Sequence, residues 1–82
     1  MLEEENLNMK TYRFSIIIEK DEEGYFAICP ELQGCYTQGD TYEEVLDNIK
    51  DAIRLHVMDR LDNGEKISQS DSISFTSMEV AV

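Results

Sequence analysis

One stretch of the chain, Thr41 to Gly64, holds a helix start signal, a helical period and a helix stop signal, so a single helix must shield whatever sheet the remaining residues build. Thr41-Tyr42-Glu43-Glu44 fits a capping box, with Thr41 as the cap and Glu44 reaching back; Asp40 is a rival cap one residue earlier. Asp40, Glu43 and Glu44 lie where the helix dipole favours negative charge. From Tyr42 to Leu61, at 100° per residue, Val45, Ile49, Ala52, Ile53 and His56 cluster on one face, flanked by Leu46 and Val57. Asn63-Gly64 is the stop. Leu55, Met58 and Leu61 fall off this stripe and hint at a further apolar surface on the back of the helix.

The flanking segments read as strands. Lys10 to Lys20 alternates, with Tyr12, Phe14, Ile16 and Ile18 on one face and Arg13, Ser15, Ile17 and Glu19 on the other. Asp21-Glu22-Glu23-Gly24 is a hairpin signal, with Gly24 supplying positive φ in a loop of three or four residues. Tyr25 to Cys29 forms the second strand, which stops at Pro30 because proline has no N–H for a ladder. Cys35 to Gln38 forms a short third strand after the Pro30–Gly34 loop, and Ile73 to Val82 reads as a last strand with a slip in its alternation near Ser77. The expected class is α+β in the order β-β-β-α-β. One antiparallel or mixed sheet is covered on one face, and the other face, with Ile17 and either Phe26 and Ile28 or their alternates, is left bare.

Size and charge restrict function. At 82 residues the chain makes one domain with a thin core, which oligomerisation or a partner would help. Eighteen acids against seven Lys and Arg leave a net charge of -11, which argues against direct binding of nucleic acid or of an anionic membrane. No apolar run reaches the ~20 residues of a membrane helix, and the acidic start MLEEENLN does not read as a signal peptide. The expectation is a soluble, cytoplasmic protein with a flexible acidic end over residues 1–9 and one domain over residues 10–82.

Chemistry-bearing constellations are sparse. The acids lie in hairpins, in the first helical turn and on the outer helix face rather than converging within an apolar run, so they read as solvated or partner-facing charge and not as a metal site. Cys29, Cys35 and His56 form the one candidate thiol or metal group, with ordinary packing as the competing explanation. The four glycines are each explained by a turn or cap, leaving no phosphate loop.

From Tyr12 to Ile67 the sequence resembles the HicB family of antitoxins. The resemblance rests on the strand opening YRFSIIIEK, the acidic hairpin Asp21 to Tyr25, the proline-started loop Pro30-Glu31-Leu32 through Gly34-Cys35, and Thr37-Gln38-Gly39-Asp40-Thr41 leading through Glu43-Glu44 into the helix. It implies a partial ribonuclease-H-like fold without a nuclease site. It also implies the antitoxin half of a type II toxin–antitoxin pair, whose HicA-like toxin is a small, basic, mRNA-cleaving protein. Many family members add a C-terminal DNA-binding extension; here no basic helix follows the expected last strand, so direct operator binding is not expected.

The reading is a non-enzymatic binding module without cofactor or metal. It dimerises and occludes a basic toxin, with Asp21, Glu22, Glu23, Tyr25, Glu31 and Asp40 as the partner-contacting residues. Two alternatives stand beside it: a homodimer with no toxin, and a small metal or thiol protein using Cys29, Cys35 and His56.

Overall fold

A computed structural model describes residues 10–82; the flexible acidic end expected over residues 1–9 lies outside the described residues. Three strands, β1 (Ile17–Asp21), β2 (Gly24–Ile28) and β3 (Tyr36–Gly39), precede one helix, α1 (Tyr42–Asp62). The strands form an antiparallel sheet in the order β1-β2-β3. The α+β class and the β-β-β-α order are those expected from the sequence.

The β1–β2 hairpin is tighter than expected. Asp21 pairs with Gly24, which leaves only Glu22 and Glu23 in the loop. Among the described residues none other than glycine has positive φ, so a type I′ or II′ turn on the two glutamates is excluded; Gly24, at φ +136, absorbs the unusual backbone instead. The Asp21 carboxylate closes the turn by accepting the Glu23 N–H at 2.8 Å.

Register sets the two faces. Ile18, Ala27 and Thr37 lie opposite one another on the side of the helix. Ile17, Ile28 and Tyr36 form the adjacent row on the other side. The core consists of Ala27, Cys29, Leu32, Cys35, Val45 and Ile49, with Phe14, Ile16, Ile18, Tyr25, Ala52, Ile53 and Val57 packed around it. Leu32 enters the core from the Pro30–Gly34 loop through two local hydrogen bonds: its N–H donates to Cys29 C=O at 3.1 Å, and Cys35 N–H donates to Leu32 C=O at 3.0 Å.

The helix packs on β2 and β3, and its start is held closely. A Cβ on Gly39 would lie 2.8 Å from the Val45 N and 3.1 Å from its Cα, so only glycine lets the first turn settle on β3. Asn48 Nδ2 donates to the Gln38 carbonyl at 2.9 Å, tying the second turn to the same strand. Thr41 is the cap: its Oγ1 accepts the Glu44 N–H at 3.0 Å. Glu44 reaches back to the Asp40 N–H at 3.1 Å rather than to that of Thr41. Gly64, at φ +78, ends the helix, with Glu65 N–H donating to Arg60 C=O at 2.9 Å.

Two expectations about strands are corrected. The first strand was expected from Lys10, but its ladder begins only at Ile17, because β2 ends at Ile28 just before Pro30 and offers no further backbone. The fifth element, the strand expected over Ile73–Val82, is not formed: among the described residues that segment pairs with no strand, and all of it is exposed. Alternation supplies a strand's side chains but not its hydrogen-bonding neighbour.

Candidate functional site

The fold gathers carboxylates at one end of the molecule. The hairpin places Asp21, Glu22 and Glu23 at the end of β1–β2. Because Tyr25 pairs with Gly39, the same end receives Asp40 and the first helical turn with Glu43 and Glu44. Glu23, Gln38, Gly39, Asp40 and Glu44 line a shallow cleft of about 170 Å³. The Asp21 carboxylate is engaged by its own turn and the Glu44 carboxylate by the helix start. Glu22, Glu23, Asp40 and Glu43 are the exposed acids at this end whose carboxylates join no hydrogen bond among the described residues, and Glu22, Glu23 and Asp40 come from the two turns. The positive end of the helix dipole lies beneath them and lowers the cost of gathering like charges.

Tyr25 anchors this end. Its ring meets Tyr42 edge-on at a centroid separation of 6.2 Å, and Lys20 Nζ lies 5.8 Å from the ring centroid. Five of the six partner-contacting candidates, Asp21, Glu22, Glu23, Tyr25 and Asp40, are therefore neighbours.

Glu31 is placed apart from them. It sits beyond the opposite end of β2, half-buried, and accepts the Ser15 hydroxyl at 2.7 Å and the Ser15 N–H at 3.1 Å. Burial alone would raise its pKa; the hydrogen bonds from Ser15 outweigh that and hold the carboxyl below its ordinary value.

The bare sheet face contributes a second surface. Ile28 is 45% exposed and Tyr36 72% exposed, and they stand in one row with Ile17. The choice left open in the sequence falls to Phe26 and Ile28 on this face. Tyr36 follows the buried Cys35 and so takes the opposite face by the two-residue alternation of a strand, a signal present in Cys35-Tyr36-Thr37-Gln38.

The thiol group is buried chemistry. Cys29 and Cys35 are free, fully enclosed, and joined through Cys29 N–H to Cys35 C=O at 3.0 Å. Burial first, then the charge on Glu31 and neighbouring Cys35, pushes the Cys29 thiol up to about 11. Burial also raises the Cys35 thiol, partly offset by Arg60. Both stay protonated at neutral pH, the unreactive form. His56 is half-buried against the Gly34 loop. Among the described residues no three His, Cys, Asp or Glu side chains are grouped to hold a metal ion. Nor is any described helix long and apolar enough to cross a membrane.

Residues 14–80 match the family described as the HicB-like antitoxin of bacterial toxin–antitoxin systems. A UPF0150 protein of Synechocystis is 38% identical over 63 residues, covering 76% of this chain and 80% of the relative. A UPF0150 protein of Thermoplasma acidophilum is 42% identical over 65 residues, covering 78% and 94%. One from Helicobacter pylori is 60% identical over 43 residues, covering 52% and 60%.

Proposed function

The chain belongs to the HicB-like antitoxin family, and from that premise we propose that it captures a small, basic HicA-type toxin through its acidic end and blocks the toxin's RNA-cleaving site. The observation that carries this reading is the meeting of Glu22, Glu23 and Asp40 beside the Tyr25–Tyr42 pair, on two turns held rigid by their own hydrogen bonds. Such a site presents negative charge without a large ordering cost, and complementary fields raise the encounter rate with a cationic partner. The role is binding rather than catalysis: the buried thiols are protonated and the exposed acids are carboxylates facing solvent. The action is that of a cytoplasmic inhibitor.

The test is a binding titration at low salt with the basic protein encoded by the neighbouring reading frame. Joint reversal of Glu22, Glu23 and Asp40 to lysine is expected to weaken binding by ~10-fold or more and to flatten its dependence on salt. Reversal of Asp59 and Asp62, at the far end of the helix, serves as the control. Equal affinity of the acidic-end variant and the control would refute the assignment.

A further inference from the structure

The segment that failed to become a fifth strand is the least explained part of the molecule. Every residue from Ser68 to Val82 is exposed, and among the described residues no hydrogen bond engages Ile73–Val82. Phe75, Met78 and Val80 are 73, 79 and 70% exposed. Their β-branched, aromatic and alternating neighbours have the composition of a strand that lacks a neighbour.

A matching vacancy lies along the first strand. Ser15 N–H points toward the β2 side, where Glu31 receives it, and Arg13 exchanges two hydrogen bonds with the Gln69 side-chain amide, at 2.8 and 2.9 Å. Odd-numbered backbone groups of this run thus face inward along the sheet. By alternation, the N–H and C=O groups of Tyr12, Phe14, Ile16 and Ile18 face the outer edge, where no backbone partner stands among the described residues. Beside that edge a groove of about 1020 Å³ runs between the strand and the helix, lined by Tyr12, Phe14, Ile53, Val57, Met58 and Leu61.

We infer that Ile73–Val82 of one copy adds as a strand to the Tyr12–Ile18 edge of a second copy, its apolar side chains filling that copy's groove, and that the exchange is reciprocal. At ~3.3 Å per residue, ten residues are long enough to run the whole edge. Gln69 is held on the inner side of Arg13, and among the described residues Ile73–Val82 pairs with no strand of its own chain, so a second copy is the edge it can fill. Charge selects the occupant. Lys10, Lys50 and Arg54 also line the groove, which repels a basic partner, whereas Ile73–Val82 carries a single charge, Glu79, of the complementary sign. Two copies at -11 each thus meet at a groove whose Lys10, Lys50 and Arg54 offset part of their mutual repulsion. Exchange of an identical element closes a two-fold dimer and fills the open edge of the first strand in each copy.

Two measurements on the full chain without any partner decide the matter: mass in solution by light scattering, and amide hydrogen exchange. A dimer is expected, with Phe14, Ile16 and alternate amides of Ile73–Val82 exchanging at least ~10-fold more slowly than in a Val80→Pro variant. Val80→Pro should be monomeric with its helical signal intact, since Val80 is 70% exposed in the single chain and joins no hydrogen bond among the described residues. Met58→Glu, exposed in the single chain, should do the same from the groove side. A monomer with those amides protected shows the segment folded on its own edge and overturns the exchange. A dimer with the segment unprotected, or one that survives both variants, shows association through another face and overturns it equally. Monomeric wild-type protein whose segment is protected only when a toxin is added overturns it as well, while leaving the proposed function standing.

Discussion

Glu31 stands in for a missing strand opposite Ser15. The β1–β2 register, extended by two residues, would pair Ser15 with Pro30; the chain turns away there, and the Glu31 carboxylate takes the Ser15 N–H and hydroxyl instead. Two residues further on, the Gln69 amide does the same for Arg13. The extended run before β1 is thus kept straight by two side chains rather than by a ladder, and its outer edge stays available.

Removing this carboxylate should be costly. Glu31→Ala leaves a half-buried N–H without its acceptor and is expected to lower stability by about 1–3 kcal/mol, against about 1 kcal/mol for Ser15→Ala, in urea unfolding. A double variant close to the single Glu31 variant would show that the two residues act as one unit.

Acidity should act through the same pair. The folded-state pKa of Glu31 lies below its unfolded value, so its contribution is present above the unfolded value of ~4.3 and is lost as pH falls through the folded one. Thermal melts from pH 6 to pH 3 should show a shallower decline for Glu31→Gln than for wild type. Parallel curves would assign the acid sensitivity to other groups.

The alkaline limb belongs to the core thiols. The Cys29 pKa is raised in the fold, so its contribution is complete below the unfolded thiol value and fades as pH climbs from about 9 toward 11. Melting temperatures taken across that range under reducing conditions should fall, and Cys29→Ala should flatten the fall after an initial loss at neutral pH. An unchanged slope in the variant would contradict this.

Helix seating makes Gly39 intolerant. Gly39→Ala drives a methyl group into the backbone of Glu44 and Val45, which cannot yield as a side chain would, and should cost about 1–3 kcal/mol. Because the displaced turn carries Asp40 and Glu44, toxin affinity should drop with it. A stable variant with undiminished affinity would show that the turn's position is irrelevant to the acidic end.

Thr41→Ala separates capping from charge. Loss of the Oγ1 acceptor for Glu44 N–H is expected to cost about 1 kcal/mol in urea unfolding, with Asp40→Ala costing less because Asp40 is not the cap. Equal effects would mean that the two residues share the role.

These particulars show where the sequence was legible. Thr41 with Glu44, the helical period from Val45 to Val57 and the stop at Gly64 all act within a few residues of one another, and each appears in the structure where its pattern lies. The hairpin at Asp21–Gly24 was readable for the same reason, though not its length, which depends on a register set by two strands together. The acidic end was half legible: its residues could be named, but their meeting required the pairing of Tyr25 with Gly39.

Glu31 shows the other side. As a solvated loop acid it looked like its neighbours in composition, and only a contact sixteen residues back in sequence makes it a structural group rather than a member of the acidic end. Ile73–Val82 alternates as well as many strands do, yet finds no neighbour within its own described chain. The sequence by itself determined the local states, meaning which residues cap, coil, turn and alternate, because those follow from interactions a few bonds apart. Only the tertiary structure decided which backbone edges are filled and which charges converge, because a hydrogen-bonding neighbour in a sheet is chosen by the whole fold.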